Sequence, residues 1–163
     1  MFTVVDVACL KDSKGELVVK ELAIVNGTSE NSSVGNFHFL PPHAGSQLPL
    51  KVRKTNYWVT CNLHGISWED GYIQYSRLKQ ILLDALPNNF VPSVVYVKGQ
   101  EKCDFLSELL SGAYTFTDLD KLSCPKSSEL PLPSPLRSCH VHRFSPKECP
   151  LVKCYQYINW MQE

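Results

Sequence analysis

The chain has 163 residues, enough for a single domain (residues 1–163) with a buried core. Its 16 basic and 16 acidic residues balance, so no overall positive charge draws it toward nucleic acid, although a local basic groove remains compatible with this balance. No apolar run is long enough to span a membrane, and the segment MFTVVDVACLKDSKG lacks the basic and apolar regions of a secretion signal, so we expect an intracellular protein with no membrane partner.

Three β-rich segments open the chain. FTVVDVACL and LVVKELAIV are rich in β-branched residues and are separated by the polar turn KDSKGE, so they predict a β-hairpin. NFHFL predicts a third strand, which Pro41 ends. We expect these three strands to form an antiparallel meander.

The middle of the chain, residues 43–74, shows few regular signals and is interpreted as an ordered loop rich in aromatic and polar side chains. The next segment, YSRLKQILLDAL, has apolar residues at helical spacing, with Ser76 as a candidate cap and Pro87 as the stop, and it predicts a helix. SVVYV is a compact apolar run that is typical of a buried strand.

The C-terminal half alternates helix and strand. GQEKCDFLSELLSG predicts a helix that ends at Gly112, and AYTFTDL predicts a short strand. A loop with four prolines, CPKSSELPLPSPLRS, precedes the last predicted helix, CPLVKCYQYINWM. Three strands followed by alternating helices and strands predict an α/β fold with a mixed sheet and helices on both of its faces.

Cysteine usage indicates a metal site rather than disulfides. The seven cysteines are odd in number and scattered, so a disulfide framework is not expected without a secretion signal. In CHVHRFSPKEC, however, Cys139 and His142 are separated by two residues, and Cys149 follows at the start of a predicted helix, where a thiolate is favoured. Such sulfur and imidazole donors are typical of zinc sites, although unrelated buried thiols and a loop histidine are the alternative. His140 faces the other way in an extended segment and is set aside.

The order of elements resembles that of ribonuclease H-like exonucleases, which hold two metal ions on carboxylates. Those enzymes carry Asp-x-Glu on the first strand, whereas this chain has Asp6 followed by Ala8. Lys102 and Lys153 stand where further acids are expected, so two divalent ions would meet one carboxylate and two positive charges. We therefore predict the fold without its metal-dependent chemistry, and we favour a solvent-facing position for Asp6.

Together these features resemble the Maelstrom domain, a ribonuclease H-like domain that lacks the catalytic acids and carries a Glu-Cys-His-Cys zinc site. The segments NFHFLPP and CPLVKC resemble parts of that family, whereas residues 43–74 match nothing in it. The resemblance implies four zinc ligands, of which the last three also have the spacing described above: Glu21, Cys139, His142 and Cys149. Four protein ligands leave no position for water, so the expected Zn²⁺ is structural.

Glu21 also stands out without the resemblance. A charged residue between Val19 and Leu22 in a central strand is unfavourable unless it is paired or bound to a metal. The alternative is that Glu21 points to solvent from an alternating strand, and the residues alone leave both interpretations open.

The first functional hypothesis is a module that binds single-stranded RNA. Basic residues from segments that converge near the exonuclease site of this fold would meet phosphates: Lys98, Lys102, Arg143, Lys147 and Lys153. Four aromatic residues would stack on bases: Tyr57, Trp58, Trp68 and Tyr72. The alternatives are that the lysines only confer solubility and that the aromatic residues pack in the core. The Maelstrom resemblance implies a role in small-RNA-guided (piRNA) transposon silencing, in cytoplasmic granules or the nucleus.

Two other functions are compatible with the sequence. Some members of the resembled family cut single-stranded RNA without the acids, and His64, beside Glu69 and Asp70, is a candidate acid–base cluster for such an endonuclease. The third hypothesis is a protein-interaction scaffold in which the zinc only fixes the last helix. The zero net charge and the aromatic residues of the long middle segment are compatible with that role.

Overall fold

A five-stranded mixed sheet forms the centre of the computed structural model, which describes residues 2–87, 94–142 and 145–163. The strands are β1 (Phe2–Lys11), β2 (Leu17–Gly27), β3 (Ser32–His38), β4 (Val94–Val97) and β5 (Thr115–Asp118). Their order across the sheet is β3-β2-β1-β4-β5. The first three strands pair antiparallel, and β4 and β5 run parallel to β1. The predicted α/β class and mixed sheet are thus confirmed.

Helices cover both faces of the sheet. They are α1 (Leu50–Asn62), α2 (Leu78–Ala85), α3 (Gln100–Leu109) and α4 (Pro150–Met161). Because strand side chains alternate, Val5 on β1 packs with Leu82 of α2 and Leu106 of α3, whereas Val4 faces the opposite side and packs with Ile158 of α4. The two cores explain why β1 and β2 are buried along nearly their whole length.

The hairpin between β1 and β2 forms as predicted, because Asp12 accepts hydrogen bonds from the backbone N–H groups of Lys14 and Glu16. The strand β3 begins earlier than predicted and includes part of the polar segment before NFHFL. Ser93, the first residue of the predicted strand SVVYV, lies outside the described residues. Within the part of the chain that the structure describes, no helix has both the length and the apolar character needed to cross a bilayer.

The prediction of a loop over residues 43–74 is wrong, because α1 lies within that segment. This helix is difficult to recognise from its sequence, since its sheet-facing side offers only the partly buried Val52 and Val59 and the buried Asn56. The Asn56 side chain both accepts from the N–H of Lys11 and donates to its carbonyl, at 2.9 Å each. These two bonds attach α1 to the end of β1, so tertiary contacts rather than an apolar stripe position the helix.

A β-bulge in β2 determines which way the central side chains point. Ala8 pairs with Glu21 and Cys9 pairs with Val19, so Lys20 is the extra residue on β2. The bulge reverses the alternation: Val19 faces the core under α2 and α3, whereas Glu21 faces the opposite side, with Ala23. A carboxylate therefore enters the buried side of the sheet on which α4 lies.

The bulged residue, Lys20, is fully buried and holds the chain segment that follows α1. Its ammonium donates to the carbonyls of Phe39, Trp68 and Asp70 at 2.7, 2.6 and 2.7 Å. Burial lowers the pKa of Lys20 to about 8, partly offset by Asp70 and Glu69. The side chain is therefore mostly charged at neutral pH, and all of its three N–H donors find an acceptor.

We predict that Lys20→Met lowers the free energy of unfolding by about 2–4 kcal/mol, because it leaves three carbonyls without a donor. Urea denaturation measures the change. The control is Lys14→Met in the exposed hairpin turn, for which a change within about 0.5 kcal/mol is expected. Equal stabilities of the two variants would show that the three hydrogen bonds contribute nothing.

Candidate metal centre

Four side chains from three distant parts of the chain meet on the α4 side of the sheet. Glu21 comes from β2, Cys139 and His142 come from the loop before α4, and Cys149 is the residue that precedes the first turn of α4. Their candidate ligand atoms all lie within 4.8 Å of one another. Three of the four residues are buried and Cys139 is half-buried, so the structure brings together the four residues predicted as ligands.

The separations within the cluster suit a small tetrahedral ion. The two sulfur atoms lie 3.6 Å apart, and the Cys139 sulfur lies 3.3 Å from Oε2 of Glu21. Bonds of the lengths typical of tetrahedral sites place neighbouring ligand atoms about 3.3–3.8 Å apart. Nε2 of His142 and Oε1 of Glu21 are closer, at 2.5 Å, and they share a hydrogen bond. Two sulfurs, an imidazole and a carboxylate form a set that could hold a metal ion.

The N-terminus of α4 prepares Cys149 for a metal. Pro150 begins the helix and needs no hydrogen bond from its nitrogen, while the N–H groups of Cys139 and Val152 point at the Cys149 sulfur. The pKa of Cys149 is lowered to about 6, and the largest cause is the hydrogen bond with the Cys139 side chain. Burial acts in the opposite direction. Cys149 is therefore a thiolate at neutral pH, the form that binds metals.

The carboxyl group of Glu21 is also held in its charged form. Burial alone would raise the pKa of Glu21, but hydrogen bonds from His142 and Asn36 outweigh it and lower the pKa below its ordinary value. Burial likewise acts to lower the pKa of His142, and the Glu21 carboxylate outweighs it and raises that pKa. The pair is therefore an ion pair inside the protein when no metal competes for it.

A second layer on β3 orients Glu21, and the sequence reasoning missed it. Asn36 donates to Oε2 of Glu21 at 2.8 Å, and Oδ1 of Asn36 lies 3.1 Å from Nε2 of His38. The signal was available, because alternation in NFHF puts Asn36 and His38 on one face of their strand. Such groups fix ligand orientation in metal sites. His140 lies outside the cluster and its ring is 6.1 Å from the ring of His38.

The expected solvent-facing position of Asp6 is wrong. Asp6 is 1% exposed, and its Oδ1 accepts from the ammonium of Lys102 at 2.8 Å. Asp6 lies on the α4 side of β1, and the position of Lys102 in the first turn of α3 lets its side chain reach the carboxylate. Burial acts to lower the pKa of Lys102, but Asp6 and neighbouring groups outweigh it and raise that pKa. The two charges therefore neutralise each other.

The basic residues predicted to contact RNA have different environments. Lys98 forms an ion pair with Asp120, and Lys153 lies 3.5 Å from Glu148. Lys147 is exposed, and Arg143 lies outside the described residues. Three of the five predicted residues, Lys98, Lys102 and Lys153, thus already contact a carboxylate.

The candidate acid–base cluster has both of its histidine nitrogens engaged. Nε2 of His64 donates to the carbonyl of Cys9 at 2.9 Å, and Nδ1 accepts from the N–H of Ile66 at 3.1 Å. Burial lowers the pKa of His64, which agrees with the neutral ring that this pattern requires. Glu69 and Asp70 accept from the N–H groups of Gly45 and Ser67. The two carboxylates thus bind loop backbone, and His64 joins the segment after α1 to β1.

All seven cysteines lie in the described residues, and none of them forms a disulfide.

Comparison of the chain with protein-family models and with curated proteins finds no match. The resemblance to the Maelstrom domain therefore stays a prediction made from the residues.

We predict one bound metal ion per chain after expression and gel filtration, measured by inductively coupled plasma mass spectrometry. Cys149→Ser and Glu21→Ala each remove a ligand and a buried charge partner, so both are expected to lose the ion and about 3–5 kcal/mol of stability. Cys61→Ser is the matched control, because Cys61 is exposed and lies outside the cluster. Full metal content in both cluster variants would contradict the assignment of these ligands.

The affinity for the metal is expected to fall with pH. The ordinary pKa of a cysteine thiol is 9.0, and the pKa of Cys149 in the folded protein is about 6. The Cys149 thiolate therefore stabilises the fold fully above pH 9.0, and this contribution declines as the pH falls and is lost below about 6. A chromogenic chelator measures metal release across this range, with the urea midpoint followed in parallel. A metal affinity that does not change as the pH falls from about 6 to 4 would be evidence against a thiolate ligand.

Proposed function

We propose that this chain is a ribonuclease H-like domain that has lost exonuclease chemistry, is held together by a structural zinc ion, and binds single-stranded RNA. The observation that carries the proposal is the ion pair between Asp6 and Lys102 at the centre of the sheet. RNA is the class of substrate that a ribonuclease H-like fold would receive, and we propose that this domain binds the RNA without cleaving it.

The sheet supports the fold part of the proposal. Three antiparallel strands are followed by two strands that run parallel to the first, and α4 packs on the first two strands. The helices α1 and α2 precede β4, and α3 precedes β5. This is the chain order that the ribonuclease H-like resemblance implies. Asp6 occupies the middle of β1, the strand that carries the first catalytic acid in exonucleases of this fold.

The Asp6–Lys102 pair supports the loss of chemistry. Two-metal hydrolysis needs several carboxylates to neutralise two divalent ions. The one acid on this part of β1 is already neutralised by an ammonium, and the residue two positions later is Ala8. A divalent ion at Asp6 would have to displace Lys102 and would leave that ammonium beside it, which is electrostatically unfavourable.

The donor set supports zinc and a structural role. Zinc prefers sulfur and nitrogen donors in a tetrahedral arrangement, and two cysteines with one histidine meet that preference. The fourth position is filled by Glu21, so the ion would have no open site for water. The ion would then connect β2 to the N-terminus of α4.

Charge distribution supports RNA binding despite the zero net charge. No Asp or Glu occurs between Glu30 and Glu69, and this segment contains Lys51, Arg53 and Lys54. This stretch of the chain has basic residues and no acid of its own, and such local positive charge favours contact with a polyanion. The Maelstrom resemblance extends the proposal to small-RNA-guided transposon silencing in cytoplasmic granules or the nucleus.

We predict that the protein retards an end-labelled single-stranded RNA and leaves it intact when Mg²⁺ or Mn²⁺ is added. The apparent affinity should fall as salt rises, with a slope of about −0.7 for each phosphate contact in a log–log plot. Denaturing gels of the same reactions measure cleavage.

The matched variant is Asp6→Asn, which removes the carboxylate charge and keeps the shape of the side chain. It should leave both the intact RNA and the absence of released nucleotides unchanged. Metal-dependent nucleotide release that disappears in Asp6→Asn would contradict the proposal. So would failure of the wild-type protein to bind RNA at low salt.

A further inference from the structure

The helix α1 exposes large aromatic side chains that the fold does not use. Tyr57 is 72% exposed and Trp58 is 58% exposed, whereas Trp68, which packs beneath the helix, is buried. Single exposed apolar residues are ordinary, but α1 carries two large exposed aromatic side chains at consecutive positions, which point about 100° apart around the helix axis. These rings are available to a partner of the protein.

Basic side chains surround the two rings. Lys51 and Lys54 precede Trp58 by seven and four residues, and Arg53 precedes Tyr57 by four, so helical geometry places each cation on the same side as a ring. All three basic side chains are exposed, and none forms an ion pair with a residue that the structure describes. In this they differ from Lys98, which is already paired.

A cavity of about 160 Å³ lies beside this face. It is lined by Arg53, Tyr57, Trp68 and Ser67 among others, between α1 and the segment that Lys20 holds in place. Cavities of about 150 Å³ admit a benzene ring, so this one has room for a planar ring of similar size. Arg53 and Tyr57 at its edge would offer a cation and a stacking face to such a ring.

From these observations we infer that the exposed face of α1 is the surface that binds single-stranded RNA. Lys51 and Lys54 contact phosphates, Tyr57 and Trp58 stack on bases, and Arg53 lies at the mouth of the adjacent cavity. The inference rests on the proposed function and locates it away from the predicted lysines at the former exonuclease site. The unpaired positive charge on α1 favours a polyanion, and exposed rings favour unpaired bases over a duplex. The nearby carboxylates of Glu69 and Asp70 lie on the cavity side, where they accept from the N–H groups of Gly45 and Ser67.

The end of α1 lies near the metal centre. Burial is the largest cause that lowers the pKa of His64, two residues after the helix, and the positive charges of His142 and Lys153 lower that pKa further. His64 also binds the carbonyl of Cys9 on β1. The end of α1 is therefore joined to β1 close to the metal loop.

The test is fluorescence anisotropy with labelled oligouridine and a duplex RNA of the same length. Trp58→Ala should weaken binding of the single strand by about fivefold to 150-fold, the usual effect of removing one stacking ring, and Trp58→Phe should restore it.

The double variant Lys51→Glu/Lys54→Glu should reduce the magnitude of the salt slope by about 1.4. The control, Lys79→Glu/Lys121→Glu, changes the net charge equally at exposed sites elsewhere and should bind more tightly than the α1 double variant.

Each result has a defined meaning. Loss of binding in the α1 variants, with retention in Trp58→Phe and the control, supports the inference, as does quenching of Trp58 fluorescence by the probe. Wild-type affinity in the α1 variants, or equal affinity for duplex RNA, overturns the inference and leaves the proposed function standing. No binding by the wild type overturns both. A dimer that Trp58→Ala dissociates, without RNA binding, identifies the face as a protein interface and also overturns the inference.

Discussion

The buried carboxylate of Glu21 is the group on which the rest of the arrangement depends. It is fully buried on a central strand, where an uncompensated charge would be unfavourable by several kcal/mol. Its compensation comes from residues remote in sequence: His142 and Cys139 from the loop before α4, and Asn36 from the neighbouring strand. Because Cys149 completes the cluster at the start of α4, a metal ion there would fasten the last helix to the second strand.

Two lysines, the fully buried Lys20 and the half-buried Lys102, shape the rest of the interior together with the carboxylates. Lys20 occupies the bulge that turns Glu21 toward the metal cluster, and its ammonium binds three carbonyls that position the segment after α1. Lys102 neutralises Asp6, the one acid at the centre of β1. The proposed function draws on both: the one acid of β1 is already paired with an ammonium, and the exposed basic residues without an ion pair among the described residues include Lys51, Arg53 and Lys54 on α1.

The sequence was informative wherever a constraint is local or chemically specific. Cysteine and histidine spacing predicted three members of the cluster, and a charge in an apolar strand, with the Maelstrom resemblance, predicted Glu21. Asp6 was misjudged because its partner lies on another element, 96 residues later. The helix α1 was missed because two hydrogen bonds from Asn56, rather than an apolar stripe, attach it to β1. Contacts of this kind depend on tertiary structure, which periodicity does not encode.

X-ray absorption at the zinc edge of the purified protein tests the central claim most directly, because it reports the atoms bound to the ion. A closed site of Glu21, Cys139, His142 and Cys149 predicts two sulfur atoms at about 2.3 Å and two nitrogen or oxygen atoms at about 2.0–2.2 Å. A shell with a single sulfur, with sulfur alone, or without sulfur would contradict the account, as would a purified protein that holds no zinc.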